Sequence, residues 1–228
     1  MKPTEKEVKI ALDLIEKLLS IGLKDELACN DIDWVGDHEK ELYDMGISYN
    51  YGSTKLCLIY DTLDRWVIKL SYDRSCDIAY SESGCAIDFC MREADNYASA
   101  VQKGLDRFFA ATYFVGEVQD TKVFLQEKLH TDEDYFDEYF TDYVEDRFDI
   151  NDYEDDSDYF DDIQDAAYQL DDEQRIEAVF GDSASFEELC ALNDFINDYD
   201  INDLHCQNYG YDDNQNNKII DFSGYSCS

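Results

Sequence analysis

Three observations predict an α+β fold for this chain. Residues 1–129 alternate between runs with apolar side chains at helical spacing and short runs rich in β-branched and aromatic residues. From residue 130 onward the periodicity is mostly helical and the charge is strongly acidic. With 228 residues, 44% of them hydrophobic, the chain is long and apolar enough to bury a core, which argues against wholesale disorder.

The first element follows Pro3. Thr4 and Glu7 stand at capping-box spacing, and Val8, Leu12, Ile15, Leu18 and Leu19 then recur with helical period, so an amphipathic helix opens the chain. A polar connection is expected next, and after it "GISYNYG", "KLCLIYD" and "RWVIKLSY", separated by turn chemistry such as "DTLD", read as antiparallel strands. Beyond the polar loop "SYDRSCDIAYSESG", the segment from Ile87 to Leu105 places Phe89, Cys90, Ala94, Tyr97, Val101 and Leu105 on one helical face. "TYFVGEV" and "KVFLQEKL", joined by the tight "QD", supply two more strands. Residues 1–129 are therefore expected to form a five-stranded antiparallel sheet with one embedded helix, and residues 130–228 a reduced, mostly helical second part.

That second part begins with a charge block. Between Asp132 and Glu173 there are 20 acidic residues and one Arg, yet Tyr135, Phe136, Tyr139, Phe140, Tyr143, Val144 and Phe148 fall at spacings of three and four. Such spacing describes a helix with an apolar stripe rather than a featureless acidic tail, and it favours packing over a ligand cage for the three tyrosines. An acidic helical region over 131–182 is expected, then a helix over 185–197 announced by the capping pair Ser185 and Glu188, with Phe186, Leu189, Leu192 and Ile196 on its apolar face.

Charge bounds the partners. A formal net charge of -37, from 55 acidic and 18 basic side chains, makes direct binding to nucleic acid or to an anionic membrane unfavourable, because Lys and Arg drive both. A basic protein surface is the natural complement, with the region 132–173 as its contact. The eight cysteines form no CxxC pair and have no His at zinc-like spacing, so reduced thiols and a cytoplasmic setting are expected. No charged-then-apolar leader and no membrane-length apolar run is evident.

The chemistry gathers near the C-terminus, in "INDLHCQNYGYDDNQNNKIIDFSGY". Asp203 and Asn208 should lie on a loop after a helix, and the strand, polar turn and strand that follow should fold Asp221 back beside Asn208. An amide oxygen and a carboxylate so placed are hard ligands suited to Mg²⁺, and Asp203 could accept a proton from an incoming hydroxyl; a hydrogen-bonded turn is the plain alternative. His205, within this loop, is expected to be structural, while His38 and His130 carry no signal. Upstream, Lys69 lies inside the apolar run "WVIKL" and Glu93 falls on the apolar face of its helix. Buried charges are costly unless paired, which makes these two residues candidates for each other.

The order of Lys69 on a strand, Glu93 on a helix, Asp203 and Asn208 in a "DLHxxN" loop and Asp221 in "DFS" resembles the protein-kinase-like superfamily, and the loop looks more like its aminoglycoside phosphotransferase branch. The resemblance implies a two-lobed fold and an ATP-dependent phosphotransferase, active or reduced to a pseudokinase. It implies that Lys69 contacts the α- and β-phosphates and pairs with Glu93, that Asp203 is the catalytic base, and that Asn208 and Asp221 bind Mg²⁺. Gly52 would belong to the phosphate loop, and Glu127 and Leu129 within "QEKL" to the hinge offering backbone groups to adenine. The chain departs from the family in having Gly52 as the only glycine of "YNYGSTKL" and Ser223 where Gly is usual. Few residues follow Asp221, so an acceptor platform would have to come from the acidic block. The other functional class is a non-enzymatic inhibitor, of the type carried by phages or mobile elements against host defence, whose carboxylates imitate nucleic acid in the groove of a basic protein. A kinase-like scaffold without nucleotide is the third.

Overall fold

A computed structural model describes residues 2–28, 33–52, 54–72, 88–146, 156–202 and 204–223. The chain divides into two compact units, one from the described residues of Met1–Asp106 and Ala110–Lys128, the other from Arg107–Phe109 and the described residues of Leu129–Tyr225. Both belong to the α+β class that the sequence predicts.

In the first unit, helix α1 (Glu5–Ser20) starts with the expected capping box: Thr4 accepts from the Glu7 backbone and the Glu7 carboxylate accepts from the Thr4 backbone. Ala11, Leu14, Ile15, Leu18 and Leu19 form its buried stripe. Strands β1 (Ile47–Tyr51), β2 (Lys55–Tyr60), β3 (Trp66–Ser71), β4 (Thr112–Val118) and β5 (Thr121–Glu127) build one antiparallel sheet in the order β1-β2-β3-β5-β4. Because side chains alternate along each strand, the sheet has two chemically distinct faces. Leu56, Leu58, Ile68, Leu70, Val123 and Leu125 join the α1 stripe in the main core, and Phe124, one residue out of phase, packs with Cys90 and Ala94 of helix α5 (Phe89–Lys103). Both faces are thus covered by helices.

One turn and one bulge explain how the hairpin of β4 and β5 closes. Gln119 and Asp120 carry φ of 48° and 66°, the left-handed pair that a two-residue turn needs to match strand twist. Further along, the β4–β5 register shifts between Phe114 and Gly116, and Gly116 has φ 148° with Leu12 of α1 only 3.3 Å from where a Cβ would stand. Glycine there permits both the bulge and the close approach of the helix.

Several details differ from the sequence reading. The expected polar connection after α1 contains three short helices, α2 (Leu23–Leu27), α3 (Trp34–Asp37) and α4 (Glu39–Asp44), which bury Leu23, Leu27, Trp34, Val35 and Leu42. Their few apolar side chains are too sparse for a periodic signal, and tertiary burial holds them. Val101 is 48% exposed and Phe186 80% exposed, so neither belongs to the apolar face to which its helical spacing assigned it. The loop "SYDRSCDIAYSESG" beyond Tyr72, Ile87, Phe148 and the catalytic candidate Asp203 lie outside the described residues.

The second unit is mostly helical, with α6 (Glu133–Glu145), α7 (Asp156–Tyr168), α8 (Asp172–Phe180) and α9 (Phe186–Asp198), and it ends in a hairpin of β6 (Tyr209–Tyr211) and β7 (Asn217–Ile219). The acidic helix α6 buries Phe136, Phe140 and Val144, the stripe that its spacing foretold, while Asp134, Asp137, Glu138 and Asp142 remain exposed. Phe136, Phe140 and Phe180 surround the fully buried ring of Tyr209, with centroids 5.4, 6.0 and 6.2 Å away. Aromatic spacing inside the acidic block therefore serves a core. Gly210 follows Tyr209 because a Cβ there would stand 2.9 Å from the Leu129 Cβ. Among the described residues, no helix is long and apolar enough to cross a membrane.

Candidate functional site

The first unit carries a buried cluster of charge. Strand β3 sets Lys69 opposite Cys57 of β2 and Phe124 of β5, on the face that α5 covers. Helix α5 is pinned to that face through its cap. Asp88 Oδ1 accepts from Met91 N at 3.0 Å and from Ser71 Oγ at 2.7 Å, and Asp88 Oδ2 lies 3.0 Å from Lys122 Nζ. Ser71 Oγ in turn accepts from Cys90 N at 3.0 Å. This clasp fixes the rotation and depth of the helix, so that Glu93, little more than a turn further on, points into the sheet.

Glu93 is fully buried and meets two lysines. Lys69 Nζ donates to Glu93 Oε2 at 2.9 Å and to Oε1 at 3.2 Å, and Lys55 Nζ donates to Oε1 at 2.7 Å. The Lys69 and Glu93 pairing expected from sequence is formed. Lys55 is a partner that sequence reasoning missed. It begins β2, where a lysine reads as the exposed end of a strand, but the register places it opposite Ser71, on the same face as Lys69. The signal was parity: once the β2–β3 hairpin is drawn, residues 55, 57, 69 and 71 share a side. Only burial distinguishes Lys55 from a surface residue, since it is 4% exposed. The cluster also acts on its neighbour Cys90, whose thiol is pushed well above its usual range by burial and then by the Glu93 charge.

Gly52 and the hinge residues have quieter surroundings. Gly52 is exposed, its N–H donates to the Lys55 carbonyl at 3.0 Å, and a Cβ there would meet nothing within 4 Å. The amide that the resemblance assigns to phosphate therefore closes the β1–β2 turn. Glu127 is held to Ala111 twice, through its own N–H to the Ala111 carbonyl at 2.8 Å and through its carboxylate from the Ala111 N–H at 3.1 Å. Leu129 is half-buried at the start of the second unit, and His130 after it exchanges backbone hydrogen bonds of 2.9 and 3.0 Å with Tyr211.

The second unit carries the loop and hairpin. Helix α9 ends at Asp198, buried Ile201 and Leu204 anchor the chain beyond it, and Leu204 N donates to Asp172 Oδ1 of α8 at 2.9 Å. A 3-10 turn over Cys206–Asn208 follows, with His205 as its cap: Nδ1 accepts from Gln207 N at 3.3 Å and the His205 carbonyl from Asn208 N at 2.8 Å. A capping imidazole fits the structural role expected of it. The hairpin pairs Tyr209 with Ile219, and Ile220 N extends the ladder to the Asn208 carbonyl at 2.9 Å. Asp221 thus stands one residue beyond the position opposite Asn208, as the strand, turn and strand pattern implied. Ser223 Oγ donates to Asp221 Oδ1 at 3.2 Å, while buried Phe222 between them packs on Phe109 at 5.1 Å between centroids. Backbone pairing sets the position of Asp221, and the packed Phe222 locks the short segment that carries it.

Asn208 and Asp221 offer oxygen donors of the type Mg²⁺ takes, and a pair of them leaves positions for phosphate and water. Among the described residues no group of three His, Cys, Asp or Glu side chains gathers as a self-sufficient metal site. Comparison of the chain with protein-family models, curated proteins and solved structures returned no match.

Proposed function

We propose that this protein is a kinase-like phosphotransferase that binds ATP with Mg²⁺ and transfers the γ-phosphoryl group to a hydroxyl acceptor. The observation that carries the reading is the buried pair of Lys69, on the third strand, with Glu93, on the helix between the third and fourth strands. A strand lysine fixed by a helix glutamate is the arrangement that orients an ammonium toward nucleotide phosphates in kinases. Asn208 and Asp221 would hold Mg²⁺, which supplies charge neutralisation at the phosphates when bound. Asp203 would accept the proton of the acceptor hydroxyl as its oxygen bonds to the γ-phosphorus, while the bond from that phosphorus to the bridging oxygen breaks and ADP leaves. Glu127 and Leu129 would present the hinge backbone to adenine, and Gly52 would lie in the turn nearest the phosphates.

Calorimetric titration with Mg·ATP tests this. Saturable binding that is lost in Asp221→Ala and in Lys69→Met is the expected result, and no binding by the wild-type protein at millimolar nucleotide overturns it.

The exposed carboxylates of α6 and α7, among them Asp134, Asp137, Glu138, Asp142, Asp161, Asp162 and Asp165, favour a second reading. On it the acidic region 132–173 occupies the nucleic-acid groove of a basic partner protein, as an anti-defence inhibitor would. Affinity for such a partner should fall steeply with salt, since the contact is electrostatic. Partner capture that is equal for the wild type and for a variant with those seven carboxylates changed to amides rejects it.

A further inference from the structure

We propose that the second unit binds a free amino acid with an apolar side chain, in a cavity where Arg175 takes the carboxylate and Asp137 the ammonium group. The site shares no residue with Lys69, Glu93, Asn208 or Asp221 and does not depend on the nucleotide reading.

A cavity of about 310 Å³ opens between α6, α7, α8 and the 3-10 turn at Cys206, and every residue around it belongs to the second unit. Asp137 and Phe140 come from α6, Ala167 and Tyr168 from α7, and Arg175 from α8. Ligand pockets run from about 300 to 1,000 Å³, so this one suits an occupant of amino-acid size rather than a nucleotide.

Arg175 is the group in it that lacks a counterpart. Its Nη2 donates to the Tyr168 carbonyl at 3.1 Å, and its guanidinium carbon lies 5.8 Å from the centre of the Phe140 ring. Both contacts orient the cation, and neither neutralises it. Nε is shielded from water and has no hydrogen-bond partner, and among the described residues no carboxylate pairs with the guanidinium. Carboxylates abound in this chain, with 55 acidic side chains, yet this half-buried cation is kept apart from them. A planar fork with unspent donors matches the geometry of a carboxylate brought by a ligand.

Asp137 turns the preference away from a simple anion. It stands one turn before Phe140 on the same side of α6, so two opposite charges flank one aromatic ring. The Cys206 thiol donates to its carboxylate, which leaves the negative charge in place. A simple anion would meet that charge and the field of a chain with net charge -37, whereas a zwitterion carries no net charge and finds a counterpart for each end. Buried Phe140 and Ala167, with the exposed ring of Tyr168, supply apolar wall for the side chain of the ligand.

Calorimetry on the full-length protein with L-phenylalanine and L-leucine tests the site. N-acetyl-L-phenylalanine and L-phenylalaninamide serve as controls, since the first lacks the ammonium and the second the carboxylate. Saturable binding of both amino acids is expected, about tenfold or more weaker in Arg175→Met and in Asp137→Asn, with both controls weakened similarly in the wild type. Asp137→Asn keeps an acceptor for the Cys206 thiol and alters an exposed position, so it serves where Arg175→Met does not fold. In the wild type, saturating L-phenylalanine should slow alkylation of Cys206 by iodoacetamide at alkaline pH and leave that of exposed Cys190 unchanged, as read by peptide mass spectrometry. Equal binding of L-phenylalanine and its N-acetyl derivative, unaffected by Asp137→Asn, would reveal a plain carboxylate site and overturn the zwitterion. Binding that leaves Cys206 unprotected puts the ligand elsewhere, and no binding at millimolar amino acid removes the site; either result overturns the inference.

Discussion

Glu93 Oε1 accepts a hydrogen bond from Lys55 Nζ at 2.7 Å, and the carboxylate that makes it is wholly buried between a helix and a sheet. Breaking a buried ion pair from one side leaves charge without its counterpart, a loss of about 3–5 kcal/mol. Here removal of Glu93 takes the shared carboxylate from two buried lysines at once. Glu93→Ala is therefore expected to destabilise the protein by at least that amount, and by more than Lys55→Met does. Urea unfolding of the three proteins measures it, and equal midpoints for the two variants would contradict the shared-carboxylate arrangement.

Glu7 makes stability depend on acid. Burial opposes its charge, but hydrogen bonds from Thr4 and then from Arg65, whose Nη2 lies 2.7 Å from Oε1, outweigh burial and hold the carboxyl down to about 2 from an ordinary 4.5. An unfolded chain binds more protons than the folded one between those values. The stabilisation is accordingly complete above the ordinary value and lost as pH falls through the folded one. At neutral pH, Glu7→Gln should lose about 1 kcal/mol of cap and pairing energy, and melt about 2–4 °C lower. The gap between the two melting curves should close as pH falls from about 5 to about 2, and a gap independent of pH would refute the assignment.

Thiol reactivity should separate the cysteines by environment. Cys190 is exposed; Cys90 is buried beside Glu93, and the Cys206 thiol is pushed up to about 11 by burial and by Asp137. Since the thiolate is the reactive form, a maleimide at mildly alkaline pH should label Cys190 well before Cys90 or Cys206. Peptide mapping over a time course checks the order.

The β4–β5 turn should tolerate improvement. Gln119 and Asp120 hold left-handed φ values that cost side-chain-bearing residues energy. An Asn-Gly pair suits such a turn better, so the double substitution Gln119→Asn with Asp120→Gly should raise stability by about 0.5–1 kcal/mol. The urea midpoint should rise with an unchanged slope.

Much of this architecture was legible because it is local. Capping boxes at Thr4 and Ser185, the short runs of β-branched and aromatic residues in "KLCLIY" and "WVIKL", and the aromatic stripe of α6 are patterns of neighbours within a few residues, and each became the expected element. Pairing of Lys69 with Glu93 was legible for a different reason, since a charged residue inside an apolar run has few tolerable fates. The helices between residues 23 and 44 escaped notice because scattered apolar side chains such as Leu27, Trp34 and Leu42 acquire meaning only when a core receives them. Val101 and Phe186 failed in the opposite sense, having the right spacing yet remaining exposed.

What the sequence by itself determined is the order and type of the main elements, the acid-faced helix with its aromatic stripe, and the need for Lys69 and Glu93 to meet. Tertiary structure alone decided that Lys55 joins them and that Gly52 commits its amide to a turn. It also fixed the register of the hairpin whose strand, turn and strand pattern folds Asp221 back, through the backbone hydrogen bond from Ile220 N to the Asn208 carbonyl. The reason is physical: propensity and periodicity act over a few residues, whereas the depth of a side chain depends on strand register and on how a helix such as α5 is clasped to its sheet.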